Sequence, residues 1–181
     1  MDKIAYLDMD KKDDNRTGEV YRAFIDYAFE KTDYFMLVYI NHFGHGYTKD
    51  QKYFKKALWP YRVCSRANPV WPGSPGVESP NTTYKIMFYR NDPRAKEILK
   101  EKSAVSEWTW GSPEDLAFFK GSTCWFCSTG HEDLATVIHA DEEDIAFLDQ
   151  YDLIYEYGTT REEIEWYDFC NEPMLDKVKK G

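Results

Sequence analysis

The stretch DLAFFKGSTCWFCSTGHEDLATVI, residues 115–138, decides the fold that the sequence predicts. It contains three short runs rich in apolar residues, 115–119, 123–127 and 133–138, and glycine-containing turns of hairpin length separate them. Strands that are joined by such short turns pair antiparallel. The stretch therefore predicts a three-stranded antiparallel meander in the second half of the chain.

Two further strands are predicted in the first half of the chain. Residues 34–40, YFMLVYI, form a continuous apolar run, which is typical of a central strand that is buried on both faces. Residues 83–89, TYKIMFY, alternate between two sets of side chains, as expected for a strand whose faces meet different surroundings. The run at 34–40 is the longest apolar run and is far too short to span a bilayer, so no membrane partner is expected.

Helix signals alternate with these strands. Helix starts are predicted at Thr17, at the capping box of Thr48 and Gln51, at the Asp92-Pro93 pair, at Asp141, and at the capping box of Thr160 and Glu163. The order α-β-α-β-α followed by β-β-β-α-α predicts an α+β fold, a mostly antiparallel sheet with helices packed on it. A chain of 181 residues can bury one core, so a single domain over 1–181 is expected.

Three segments are expected to hold little regular structure. Residues 1–16 and 174–181 are polar and weakly patterned, and we expect them to be loose. Residues 66–82 contain four prolines and two glycines and predict a long Pro/Gly-rich loop. The first residues lack the apolar core and the cleavage site of a signal peptide, which favours a cytoplasmic protein with reduced cysteines.

Charge is distributed unevenly along the chain. Residues 1–90 carry 14 Lys and Arg against 11 Asp and Glu, a net charge of +3, and residues 91–181 carry 9 against 21, a net charge of −12. Within these halves, segment 132–172 holds 14 acids and one base, and segment 48–66 holds six bases and one acid. Such asymmetry indicates a charged interaction surface, and a solvated acidic face that maintains solubility is the alternative.

Cys124 and Cys127 form a C-x-x-C motif, and His131 follows four residues later. Successive side chains of a strand point to opposite faces, so residues three apart are expected to share neither a metal ion nor a disulfide. The spacings to Cys64 and Cys170 match no zinc finger. We interpret the cysteines as small buried hydrophobes, with a zinc site as the alternative, and expect neither a metal nor a cofactor.

His42 and His45 lie in the loop NHFGHG, directly after the strand at 34–40. Two histidines in a loop can bind a metal or act as an acid/base pair, but no carboxylate stands at a fixed spacing from them. The helix that begins near Thr48 can direct backbone amides and lysines at an anion. The alternative function is therefore a small enzyme that acts on an anionic substrate with the His42/His45 loop and basic segment 48–66.

Residues 84–135 resemble a type of small bacterial protein. The shared features are an aromatic strand, a tryptophan segment, the run PEDLAFF, a strand with Trp125, and then His131-Glu132. Some of these proteins resemble the immunity partners of bacterial polymorphic toxins. The resemblance implies an inhibitor that binds a toxin, and it transfers no catalytic residue to this chain.

The first function hypothesis is a protein-binding module, an inhibitor or immunity protein that blocks a basic-cleft, nuclease-like toxin. Nuclease clefts are basic because they hold phosphates, and dense carboxylates can occupy such a cleft. The expected partner-binding residues are Glu142, Glu143, Asp149, Glu162, Glu163, Glu165 and Trp166. The lack of a P-loop or another catalytic motif favours binding over catalysis, and the net charge of −9 disfavours nucleic acid as a partner.

Overall fold

One antiparallel sheet of eight strands runs through the computed structural model, which describes residues 4–8, 18–74 and 79–158. Its strands are β1 (Ile4–Asp8), β2 (Tyr34–Asn41), β3 (Arg62–Ala67), β4 (Thr83–Arg90), β5 (Glu114–Lys120), β6 (Thr123–Thr129), β7 (Leu134–Val137) and β8 (Tyr155–Gly158). Their spatial order is β3-β4-β2-β5-β6-β7-β1-β8, and every neighbouring pair is antiparallel. The structure thus confirms the predicted strands at 34–40 and 83–89 and the predicted meander.

Helices cover one face of this sheet. They are α1 (Glu19–Lys31), α2 (Lys49–Ala57), α3 (Pro93–Leu99) and α4 (Glu142–Gln150). Each buries apolar side chains in the same cluster as Leu37 of β2 and Phe118 of β5. The predicted α+β fold, a mostly antiparallel sheet with helices packed on it in a single domain, is confirmed. Within the described ranges, no helix combines the length and the apolar character needed to cross a membrane.

Side-chain caps begin three of these helices as the sequence predicts. At α2, Thr48 accepts a hydrogen bond from the backbone N–H of Gln51, whose side chain accepts one from the N–H of Thr48. Asp92 caps α3, and Asp141 caps α4. These bonds satisfy backbone donors that the first turn of a helix leaves without an internal partner.

Aromatic side chains fill the space between the helices and the sheet. The rings of Phe24 and Phe126 pack with their centroids 4.7 Å apart. Trp108 is fully buried, and its indole N–H donates to the hydroxyl of Tyr21, which in turn donates to the carbonyl of Leu99 at 2.8 Å. Because these polar tips are hydrogen-bonded, the rings add buried apolar area without leaving an unpaired polar group.

The opposite face of the sheet, the second face, is apolar as well. Val38, Phe88 and Phe119 are buried there, and Trp71 from the connection between β3 and β4 packs with them. Among the described residues, no helix contributes to this second cluster. The need to bury side chains on both faces explains why residues 34–40 are continuously apolar instead of alternating.

A bulge between β5 and β6 corrects the expected orientation of the two cysteines of the C-x-x-C motif. The register between β5 and β6 shifts by one residue at this point, and both Trp125 and Phe126 face the helices. The bulge brings Cys124 and Cys127 to the same side of the sheet, in the second cluster. The prediction that the two cysteines face opposite ways is therefore wrong, because simple alternation does not hold across a bulge.

Three strands, β1, β3 and β8, have no counterpart in the sequence prediction. β1 lies within segment 1–16, which was expected to be loose, and β3 takes its last two residues from the predicted loop at 66–82. These strands are only four to six residues long. The partners of β1 and β8 are remote in the chain, whereas β3 pairs with the next strand, β4. The predicted cap Thr17, the predicted helix from Thr160, Cys170 and segment 174–181 lie outside the described residues.

We predict that Cys124→Ser and Cys127→Ser each lower the free energy of unfolding by about 1 to 3 kcal/mol. Both side chains are at most 1% exposed, so each substitution buries a hydroxyl and weakens packing. Urea denaturation measures the loss, and Cys64→Ser, at a half-buried position, is the control with a smaller effect. One equivalent of zinc in the purified protein, absent from both variants, would contradict the structural role.

Candidate functional site

The order of the strands separates the charges of the chain in space. Basic residues lie on α2 and on β3, which is one edge of the sheet, and we call this surface the basic edge. Strand β8, which carries Glu156, is the other edge, and α4, which packs on the helix-covered face, carries further exposed acids and meets β8 where Tyr155 donates to Asp149. We call α4 and β8 together the acidic end. Since neighbouring strands are about 4.8 Å apart, the two edge strands are separated by roughly 30 Å. Within the described residues, the two edge strands therefore carry charges of opposite sign.

The basic edge carries positive charge in excess of its local partners. Lys49, Lys52, Lys56 and Arg62 are exposed. Burial, and then the charge of Lys85, lower the pKa of Lys55. Trp59 is 53% exposed on the same surface, with the guanidinium of Arg62 4.3 Å from its ring centroid. The sequence-predicted basic segment 48–66 is thus a surface and not a buried site.

Three of the sequence-predicted binding residues, Glu142, Glu143 and Asp149, are exposed on α4. Lys31 of α1 lies 3.2 Å from Glu143 and 2.6 Å from Asp141, so part of this charge is neutralised internally. Burial alone lowers the pKa of Lys31, but the hydrogen bond with Asp141 and the charge of Asp144 raise it overall. The other predicted binding residues, Glu162, Glu163, Glu165 and Trp166, lie outside the described residues.

A groove of about 330 Å³ opens at the acidic end, and its floor is formed by β1, β6, β7 and β8. Glu132, from the turn after β6, and Glu156 of β8 line it, together with Thr136 of β7 and Tyr6 of β1. No Lys, Arg or His occurs among the described residues that line this cavity. We call it the Glu132–Glu156 groove. Its carboxylates have no cation beside them within the lining.

A second candidate site lies where β2 ends and β5 begins. These strands are neighbours, with Val38 opposite Glu114, and their pairing brings His42 to a carboxylate. The imidazole Nε2 of His42 lies 3.7 Å from Oε1 of Glu114. Both atoms are buried and neither has a hydrogen-bond partner. Burial, and then the charge of Asp115, raise the pKa of Glu114 to about 7. A carboxyl that titrates near neutral pH beside an imidazole has the character of an acid/base pair.

Aromatic side chains surround this pair on the protein surface. Trp110 is 72% exposed and stacks on His42, with the ring centroids 5.9 Å apart. His131 meets the edge of the same indole at 6.4 Å. Phe43 is exposed next to His42 and has a left-handed backbone, with φ of 53°. An exposed tryptophan next to strained backbone is common at binding sites.

The neighbouring Asp115 has a structural role. Its carboxylate accepts hydrogen bonds from the indole N–H of Trp71 at 2.7 Å and from the backbone N–H of Gly130 at 2.9 Å. Burial raises its pKa, and these two hydrogen bonds oppose that effect. Asp115 thus ties the connection after β3 and the turn after β6 to β5. The run PEDLAFF therefore contains two different carboxylates. Asp115 has a structural role, whereas Oε1 of Glu114 has no hydrogen-bond partner.

The carboxylate beside His42 leaves no signal in the sequence. Glu114 is remote from His42 in the chain, so no fixed spacing reveals the pair, and only the pairing of β2 with β5 brings the two together. His45 stays exposed in its turn. Within the described ranges, no group of three or more His, Cys, Asp and Glu side chains is arranged to hold a metal ion.

Comparison with known proteins finds no matching family model, no similar curated protein and no similar solved structure.

We predict that Glu114→Gln becomes progressively more stable than the wild type as the pH rises. The folded-state pKa of Glu114 is about 7, above the value of about 4.3 expected in the unfolded chain. The neutral form of Glu114 stabilises the folded state fully at pH values below its unfolded-state pKa. This stabilisation is lost as the pH rises through its folded-state pKa. Between about pH 4 and about pH 8, the unfolding free energy of Glu114→Gln should rise by about 2 to 3 kcal/mol relative to that of the wild type.

Urea denaturation at several pH values measures this difference. Glu97→Gln, at an exposed position of α3, is the matched control and should show little change. A stability difference between Glu114→Gln and the wild type that does not depend on pH would contradict the raised pKa.

Proposed function

We propose that the protein is a cytoplasmic protein-binding module, an inhibitor or immunity protein that blocks a basic-cleft, nuclease-like bacterial toxin with its acidic end. The observation that carries this proposal is the separation of charged elements: β8, with Glu156, and β3, with Arg62 and Arg66, are the opposite edges of the sheet. Helix α4 adds exposed acids and is joined to β8 by a hydrogen bond from the Tyr155 hydroxyl to Asp149, whereas α2 adds exposed bases. A partner with a basic cleft is attracted to the acidic end and repelled by the basic edge. The same field that binds the partner therefore also orients it.

Exposed apolar side chains at the acidic end support the proposal. Charge accelerates association, but most of the binding energy of an interface comes from buried apolar and aromatic anchors. Tyr157 of β8 is 53% exposed, and Leu134 and Ile154 beside the groove are 46% and 40% exposed. These side chains lie among the exposed carboxylates and provide the apolar contacts that a stable complex needs.

An enzyme is the second candidate function, and a specific observation favours it. Glu114, whose pKa burial raises to about 7, lies beside His42, and the exposed ring of Trp110 stacks on His42. An anionic substrate would reach this pair from the basic residues at the start of α2. A screen with generic phosphatase and nuclease substrates tests this candidate, and activity that disappears in His42→Ala would replace the inhibitor proposal.

For the inhibitor proposal, we predict that Glu142→Lys/Glu143→Lys slows association with the partner by about tenfold at low salt and weakens the salt dependence of the rate. The partner is captured from a native extract on immobilised wild-type protein, and association rates are then measured with the purified pair. Glu19→Lys/Glu97→Lys is the matched control, since it changes the net charge equally at exposed positions of α1 and α3.

The two double variants separate an effect of the α4 carboxylates from an effect of the net charge of the protein. A slower rate only in the α4 variant supports binding through the acidic end. Equal rates for the wild type and both variants at low salt would mean that the acidic residues are a solvated face, and the inhibitor proposal would then be abandoned.

A further inference from the structure

We propose that the Glu132–Glu156 groove binds the guanidinium group of an arginine side chain that the partner protein inserts. The inference rests on the proposed function, because it identifies an anchor within the acidic end. It concerns a cavity with defined walls and not the acidic surface as a whole.

The charge of the groove selects a cation. Glu132 and Glu156 approach it from separate elements, the turn after β6 and the edge strand β8. The nearest basic group to Glu132 is His131, 3.8 Å away, and that histidine is not among the described lining residues. An anion would meet two carboxylates without a compensating charge, whereas a cation completes the site.

The Thr136 side chain in the groove provides a second and independent indication of a ligand. Thr136 is 6% exposed and lines the cavity. It pairs with Cys127, whose side chain lies on the second face, so the Thr136 side chain is directed to that face. No described residue hydrogen-bonds its hydroxyl, whereas the hydroxyl of Thr129 in the same groove donates to the carbonyl of Gly73. The Thr136 hydroxyl therefore meets the groove and is available to accept a hydrogen bond from a ligand that donates one.

The walls of the groove fit a side chain with an apolar stem. Tyr6, Leu134 and Ile154 supply apolar surface beside the carboxylates. Such mixed walls suit a cationic residue that packs its methylene groups against apolar atoms and presents its charged head to oxygen acceptors. The volume of about 330 Å³ lies at the lower end of the range of roughly 300 to 1,000 Å³ that is usual for ligand sites.

Arginine fits this set of acceptors better than lysine. The acceptors are two carboxylates and one hydroxyl on three separate elements, β7, β8 and the turn after β6. A guanidinium offers five N–H donors in a planar fork, and it can reach carboxylates in different directions at once. An ammonium is a compact point charge that is more strongly hydrated. Arginine is also one of the residues that most often dominate the energy of protein interfaces.

The test is a titration of the full-length chain, followed through its backbone amide NMR signals, with three probes. N-acetyl-arginine amide is the ligand probe, N-acetyl-citrulline amide is its uncharged counterpart of the same shape, and N-acetyl-lysine amide separates charge from the guanidinium geometry. We expect saturable shifts at Leu134–Val137 and Tyr155–Gly158 with arginine, with affinity about tenfold weaker for citrulline and intermediate for lysine. Glu156→Gln, at an exposed position, and Thr136→Val, which keeps the side-chain shape, should each weaken the arginine response.

The outcomes distinguish this inference from the proposed function. Equal responses to arginine and citrulline, or no saturable shift in the groove, would overturn the arginine site even if the α4 charge variant still slows binding of the partner. Conversely, a selective arginine response that Glu156→Gln abolishes would support the site even if the partner proved not to use the acidic end. An unchanged arginine response in correctly folded Glu156→Gln would also contradict the proposal.

Discussion

Hydrogen-bonded pairing of β1 with both β7 and β8 is the interaction on which the acidic end depends. Ala5 lies opposite Val137 on one side and opposite Tyr157 on the other, so this five-residue strand joins the meander to the last described strand. The ring of Tyr6 lies over Gly158, where a Cβ atom would collide with it. Within the described sheet, β8 has no other neighbour. Glu156 and the floor of the Glu132–Glu156 groove are therefore positioned by the first described residues of the chain.

Local signals explain which parts of the fold were predicted from the sequence. The capping box of Thr48 and Gln51, the Asp141 cap and the continuous apolar run at 34–40 are each encoded within a few neighbouring residues, and the structure contains all three. The strands β1 and β8 carry no comparable local signal, because they pair with each other across most of the chain, and β3 overlaps the Pro/Gly-rich segment that predicts a loop. The exposed edge strand β8 also lacks the alternating burial that identifies a strand.

Non-local geometry also limited what could be predicted about the sites. The β6 bulge reversed the expected direction of one cysteine, and bulges leave no dependable mark in a single sequence. Similarly, the uneven distribution of charge was visible along the chain, but the distance between the edge strands β3 and β8 followed only from the strand order. His42 had an evident chemical character, whereas its partner Glu114 became apparent only when β2 and β5 were seen as neighbours.

The two candidate sites place different physical demands on the fold. The carboxylates of the acidic end are largely exposed, so they lose little hydration on folding and remain available for long-range attraction of a partner. Glu114 is the opposite case, since its side chain is 7% exposed and its charged form is disfavoured by burial. A strained or desolvated group of this kind often indicates function, which is why the acid/base pair remains the specific alternative to binding.

Hydrogen–deuterium exchange of the protein alone and in complex with the captured partner tests the central claim most directly. The account predicts that the partner slows exchange in β7, α4 and β8 and leaves exchange in α2 and β3 unchanged. Slower exchange that is confined to α2 and β3, or to the turn that carries His42 and Trp110, would contradict binding through the acidic end.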